Sequence, residues 1–339
     1  MNILFIIGNG FDLRLGLPTS YPDFLKYYEG QKPKHNMGGE DLKKYFLDTM
    51  KKKRNAGDDT WRDLEVALGD FTSHLTDKTQ FLEFYRDINL SLVDYLSDIE
   101  ERANPTFTKE QSEHLKQSLL TPYNYLNNRE KELFKSYLNG SFVASIISFN
   151  YTSFLETLCK DYIKVGANYD RPDVSYPSLS TFSLNNIKHI HGRLTEKSIL
   201  LGVDNEEQIA NEDFRLDEDI LDVMIKPRGN ENIGSLIDRE CQDLIKEADI
   251  IYIFGSSLGE TDKTWWTAIK ERFSNSQVII LYFVHDKNAI STLSTEMSSF
   301  KRSARQQLVT ALGLEGNEID YRDRIFIALN TAMFPEGKQ

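Results

Sequence analysis

Apolar, β-branched runs recur along the chain at residues 3–7, 142–149, 250–254, 278–284 and 325–329, each closed by polar residues or glycine. They are nearly continuous rather than alternating. Strands with helices on both faces of their sheet have this pattern, so it predicts an open α/β fold with a parallel sheet and argues against an antiparallel sandwich. Shorter runs at 187–190 and 199–203 add two strand candidates. Residues 36–140 carry no comparable run and read as helices. Trp61, Leu64 and Leu68 recur at helical spacing, and Phe81, Phe84, Tyr85, Ile88 and Leu92 continue it, with Pro105 and Pro122 as breaks. The expected organisation is a single α/β domain over 1–339, with 36–140 as a helical insertion that packs on the sheet or lids it. Glu65, on the same predicted helix as Trp61, is either a functional carboxylate or a solvated, capping one.

Composition narrows the function. The chain has 339 residues, 40% of them hydrophobic, and a formal charge of −12, which suits a globular core but opposes a sequence-independent grip on nucleic acid. The one basic run, residues 51–54, sits where a helix should end and reads as a complement to its dipole. Residues 204–222 hold nine carboxylates interleaved with Ile209, Phe214, Leu216, Ile220 and Leu221, the pattern of exposed amphipathic helices. Calcium-loop spacing is missing there, and no metal is expected. Cys159 and Cys241 lie far apart and cannot build a four-thiolate zinc site. With no secretion leader or membrane-length apolar run in the sequence, they point to a reducing, cytoplasmic setting without a membrane.

Ligands of open parallel sheets sit outside the carboxyl ends of the strands. Four polar or glycine-rich segments follow the predicted strands: Gly8-Asn9-Gly10, Asn150-Tyr151-Thr152, His191-Gly192-Arg193 and Gly255-Ser256-Ser257-Leu258-Gly259. The glycines at 8 and 10 would let a phosphate approach bare amides. Asn150 can orient a sugar hydroxyl or a water, or simply form a turn. His191 can move a proton near neutrality, whereas His189, two residues earlier, points to the opposite face and is expected to be packed or hydrogen bonded. Ser256 and Ser257 lack a nucleophile elbow and read as phosphate or ribose donors. Thr261 and Asp262 read as the N-cap of a helix carrying Trp265 and Trp266, and Asp262 can also reach the site.

Together these segments resemble the sirtuin-type NAD-binding fold. Gly8-Asn9-Gly10-Phe11-Asp12 with Gly16-Leu17-Pro18 resembles that family's opening signature, Ser148-Phe149-Asn150-Tyr151-Thr152 its asparagine motif, and His191-Gly192 and Gly255-Ser256-Ser257-Leu258 its later ones. Asp12 stands where that family has serine, and Thr152 where it has aspartate. The motifs from Ile7 to Tyr21, with Phe149 to Thr152, Ile190 to Gly192, Leu201 to Asp204 and Gly255 to Trp266, are similar to the AbiH family of phage abortive-infection proteins. The resemblance implies a Rossmann-type core and a phage-defence effector that hydrolyses NAD to nicotinamide and ADP-ribose, triggered by a phage-derived component and regulated through the insertion or a homo-oligomer interface. It assigns catalysis to Asn150 and His191, and nucleotide contacts to Gly8, Asn9, Gly10, Phe11, Asp12, Thr19, Gly255, Ser256, Ser257 and Asp262. The alternatives are a non-catalytic nucleotide sensor and, opposed by the charge, a metal-dependent nuclease.

Overall fold

A computed structural model describes residues 1–33, 39–58, 60, 63–171, 180–196, 198–286, 289, 294–315, 321 and 323–337. Trp61, expected on a helix face, and residues 36–38, where the helical stretch was expected to begin, lie outside them. The strands are β1 (Asn2–Ile7), β2 (Phe142–Ser148), β3 (Asn168–Asp170), β4 (Thr181–His189), β5 (Gly192–Arg193), β6 (Ser198–Ile199), β7 (Ile250–Phe254), β8 (Ile279–Val284) and β9 (Ile325–Leu329). Seven of them form one sheet in the order β3-β4-β2-β1-β7-β8-β9, while β5 and β6 make a separate ribbon.

The sheet is parallel from β4 to β9, with only the short edge strand β3 antiparallel. The five long apolar runs all become strands of it. The 187–190 run is the end of the longer β4, and most of the 199–203 run is loop. Strand parity divides the core into two layers. Ile3, Phe5 and Ile7 of β1, Ile250 and Tyr252 of β7, and Leu281 and Phe283 of β8 face one side, packed with Phe24, Tyr28, Leu68, Phe84 and Ile88 from the helices between β1 and β2. Leu4, Ile6, Ile251, Ile253 and Ile280 face the other, against Ile245, Trp266, Ile269 and Leu308. Because both faces are covered there, β1, β2, β7, β8 and β9 read as nearly continuous apolar runs.

Residues between β1 and β2 are helical, including Tyr21–Gly30, Gly39–Asn55, Leu64–Phe71, Lys78–Ala103, Lys109–Leu120 and Asn128–Lys135. The basic run falls in the last turn of Gly39–Asn55, as expected from the dipole. The acidic segment ends in the short helix Glu218–Met224, capped by Asp217; Asp217 and Asp219 pair with Lys78, and Glu218 and Asp222 with Arg228.

The connections fix where a site can form. From β1 the chain proceeds to β2 and β4 on one side of the sheet, then crosses β1 to continue through β7, β8 and β9 on the other. The loops leaving β1 and β7 therefore diverge at the carboxyl edge, beside the loops leaving β2 and β4.

Candidate functional site

At the divergence the glycines serve contact between loops rather than an open cradle. The Gly8 N–H donates to the Phe254 carbonyl at 2.9 Å and the Gly10 N–H to the Gly255 carbonyl at 2.8 Å. A Cβ on Gly10 would stand 2.4 Å from the Gly255 Cα, and Gly255 itself has φ +68°. The expectation that bare amides at 8 and 10 meet a phosphate is therefore corrected: those amides are spent on the β7 loop. Gly10→Ala is expected to force two backbones apart and cost about 1–3 kcal/mol, the usual range for overpacking, read as a lower midpoint in chemical denaturation.

Several other expected ligand contacts also turn inward. Asn9 and Thr19 staple each other, Thr19 Oγ1 donating to Asn9 Oδ1 at 2.7 Å and Asn9 Nδ2 to the Thr19 carbonyl at 3.1 Å. Phe11 is a core residue, edge-on to Phe334 at 5.4 Å. Ser256 Oγ accepts the Leu258 N–H at 3.1 Å, closing a turn in which Leu258 takes φ +56°, a conformation costly for a branched side chain. Ser257 is exposed. Gly192 has φ +78°, so its glycine is needed for the turn that carries the chain past His191.

Asp12 is only 1% exposed and does not cap its helix toward a ligand. Its Oδ1 accepts from Asn150 Nδ2 at 3.0 Å and its Oδ2 from Thr152 Oγ1 at 2.7 Å. Burial pushes its carboxyl up to about 7, against the lowering effect of those two hydrogen bonds, with the Glu100 carboxylate adding to the rise. Asn150 turns its amide nitrogen to Asp12 as the donor of this bond. Asn150 Oδ1 is then left buried, with no hydrogen-bond partner among the described residues. The Asn150 carbonyl in turn accepts from His189 Nδ1 at 2.7 Å, while His189 Nε2 meets Glu156 Oε1 at 2.7 Å. His189 is thus hydrogen bonded behind the site, as its strand parity predicts.

A second cluster joins four separate parts of the chain. Lys226 Nζ donates to Glu65 Oε2 and to Asp262 Oδ1, each at 2.9 Å, and His191 Nε2 lies 3.1 Å from the same Asp262 oxygen. The His191 contact has the distance of an ion pair but not the alignment of a hydrogen bond, so Nε2 remains buried and unpartnered among the described residues. Burial alone would raise the Asp262 carboxyl; the Lys226 ammonium and His191 outweigh it and hold Asp262 well below the usual carboxylate range. Asp262 occupies the N-cap position of the helix Lys263–Asn275, but its side chain makes no cap bond there. Its carboxylate meets Lys226 and His191 instead.

Glu65 is buried and is no cap either. Asp63 caps the helix Leu64–Phe71, accepting from Glu65 N and Val66 N, and burial together with the Glu65 charge pushes Asp63 up to about 6. Rings close around the cluster: His191 lies 5.4 Å from the Phe149 ring and 6.3 Å from the Tyr151 ring, and Phe149 lies 5.7 Å from Trp266.

The arrangement can orient and deprotonate. Asn150 offers a fixed acceptor, and His191, beside an ionised Asp262, can take a proton and have the resulting cation stabilised. Lys226 is the participant that the sequence pattern does not announce. A single lysine before a proline, in Lys226-Pro227, has no spacing that marks it, and only its burial beside two carboxylates does. Among the described residues, no group of three or more His, Cys, Asp and Glu side chains is placed to hold a metal ion, and no helix is long and apolar enough to cross a membrane.

Residues 4–284 match a family model described as "Bacteriophage abortive infection AbiH". No curated protein matches the chain.

Proposed function

Because the chain belongs to the bacteriophage abortive infection AbiH family, we propose that it acts in phage defence by hydrolysing NAD at the carboxyl edge of its sheet, on a sirtuin-like, Rossmann-type core with residues 36–140 as a helical insertion. The observation that carries this reading is the pair of buried, unpartnered polar atoms, Asn150 Oδ1 and His191 Nε2. Buried polar groups are hydrogen bonded in the great majority of cases, so orphans at the ligand-binding edge of a parallel sheet point to a ligand or a water that completes them.

In this reading Asn150 Oδ1 accepts a ribose hydroxyl and holds the sugar. The bond between the ribose C1′ and the ring nitrogen breaks, its electron pair leaves with neutral nicotinamide, and a water adds to the oxocarbenium-like carbon. His191 takes the proton of that water. Because the leaving group departs neutral, positioning and water control matter more than acid catalysis. Ser256 can donate to a phosphate, since the Leu258 N–H uses one of its lone pairs and not its hydroxyl proton.

The test is incubation of the full chain with NAD, following nicotinamide. The wild type should release nicotinamide and ADP-ribose, and Asn150→Ala and His191→Ala should each lower the rate by about a hundredfold, within the usual worth of a positioned acid–base group. Release that survives both substitutions overturns the assignment. A sensor that binds a nucleotide without cleaving it is the second reading, favoured by the Gly8 and Gly10 amides being spent on the β7 loop. ADP-ribose binding with no nicotinamide release, even in phage-infected extract, would select it.

A further inference from the structure

Charge around His191 is unbalanced in one direction. Glu65 and Asp262 both converge on the single ammonium of Lys226, and Asp63 stands at the head of the helix that carries Glu65. With His191 neutral, as a proton acceptor must be, one ammonium answers two carboxylates and leaves an excess of negative charge in a buried corner. That charge is felt by the phenols nearby: burial first, then the Glu65 carboxylate, pushes Tyr21 and Tyr151 well above the usual phenol range, and Asp63 and Asp262 add to it. The same corner is lined by flat rings, those of Phe149 and Tyr151 about His191. The His191 side chain is 6% exposed, and its Nε2 lies 3.1 Å from Asp262 Oδ1 without a hydrogen-bond partner among the described residues.

Carboxylates beside aromatic faces make an environment that favours a flat cation over a flat neutral ring. We infer that this corner is a subsite for a pyridinium ring, in which Glu65 and Asp262 set a preference for the oxidised, cationic nicotinamide over its reduced, neutral form. The inference rests on the nucleotide reading above and adds to it a charge requirement and two specificity-determining residues. Glu65 comes from the helices between β1 and β2 and Asp262 from the loop after β7, so the subsite is complete only when both parts are in place. Lys226 holds the two carboxylates together and leaves the corner negative rather than neutral.

The preference is measurable without turnover. Binding of a carbocyclic NAD analogue, which cannot lose its ring, is compared with that of NADH and of ADP-ribose, which has no ring, on the full chain. The wild type should bind the cationic analogue at least about tenfold more tightly than NADH, a modest return for one charge near two carboxylates. Glu65→Gln and Asp262→Asn should each bring that ratio down to about threefold or less, the ratio itself cancelling any general change in dinucleotide affinity. The wild-type comparison stands even where a variant fails to fold. Equal affinity of the wild type for the two dinucleotides overturns the inference while leaving the nucleotide reading intact, as does a ratio unchanged in both variants. Should none of the three ligands bind, the nucleotide reading fails and the inference falls with it.

Discussion

Lys226→Met is expected to destabilise the protein by about 3–5 kcal/mol, the usual cost of removing one partner from a buried charge cluster. The ammonium is 5% exposed and bonds two carboxylates from different parts of the chain, Glu65 and Asp262. Without it those carboxylates face each other in a poorly solvated corner, and one must bind a proton or draw in water. Methionine matches much of the lysine stem, so packing loss contributes little and the change reports charge. The triple change Lys226→Met, Glu65→Gln, Asp262→Asn should recover most of the loss, because the stranded charges are then gone. Urea denaturation of the three proteins checks this. A loss below about 1 kcal/mol for Lys226→Met would place the cluster in solvent rather than in the core.

Asp12→Asn is expected to separate stability from activity. The Asp12 carboxyl is raised from the ordinary 3.8 to about 7 by burial, so between about pH 4 and pH 7 the native state holds a proton that the unfolded chain has released. Stability from this group is full below pH 4 and is lost as pH rises through 7, a swing of roughly 4 kcal/mol for a shift of this size. Asparagine does not titrate. The variant should therefore gain on the wild type as pH rises from 4 to 7, with the difference levelling off above 7. Taking the difference between the two proteins cancels Asp63, which titrates in the same direction. An asparagine at position 12 can keep both bonds, its Oδ1 accepting from Asn150 Nδ2 and its Nδ2 donating to the Thr152 hydroxyl, so Asn150 keeps its orientation. Nicotinamide release from the folded variant should stay within about threefold of the wild type, because Asn150 Oδ1 still faces the site as an acceptor. A variant with the wild-type slope of stability against pH would mean that Asp12 does not titrate, and loss of release in a well-folded variant would mean that its charge, not only its hydrogen bonds, serves the site.

These two residues also show what could be read in the sequence. Sheet strands were legible because burial on both faces leaves an unbroken apolar signature, and the chemistry could be sought at their carboxyl ends because parallel sheets put ligands there. That logic brought Asp12, Asn150, His191 and Asp262 to one edge, where they are found. It could not say what each residue touches. Asp12 and Thr152 read as two separate departures from the sirtuin pattern, but in the fold they are one hydrogen-bonded pair across 140 residues of sequence. The glycines stand out for a sound geometric reason, close backbone approach, but the backbone that approaches is the other loop where the sequence suggested a phosphate. β3 escaped notice because three residues at a sheet edge, two of them exposed, carry no apolar run. Lys226 had no local pattern at all, since a buried ion pair is a property of the folded arrangement rather than of spacing.

The most direct test of the whole account is a crystal structure of the full chain with the carbocyclic NAD analogue. The expected density places a ribose hydroxyl within hydrogen-bonding distance of Asn150 Oδ1 and the pyridinium ring in the corner of His191, Glu65 and Asp262. The contradictory result is equally specific. A cavity of about 410 Å³, lined by Met1, Tyr137, Asn139, Asp249 and Arg272, lies at the opposite, amino-terminal edge of the sheet. A nucleotide seated there, with Asn150 and His191 untouched, would overturn the assignment of the site.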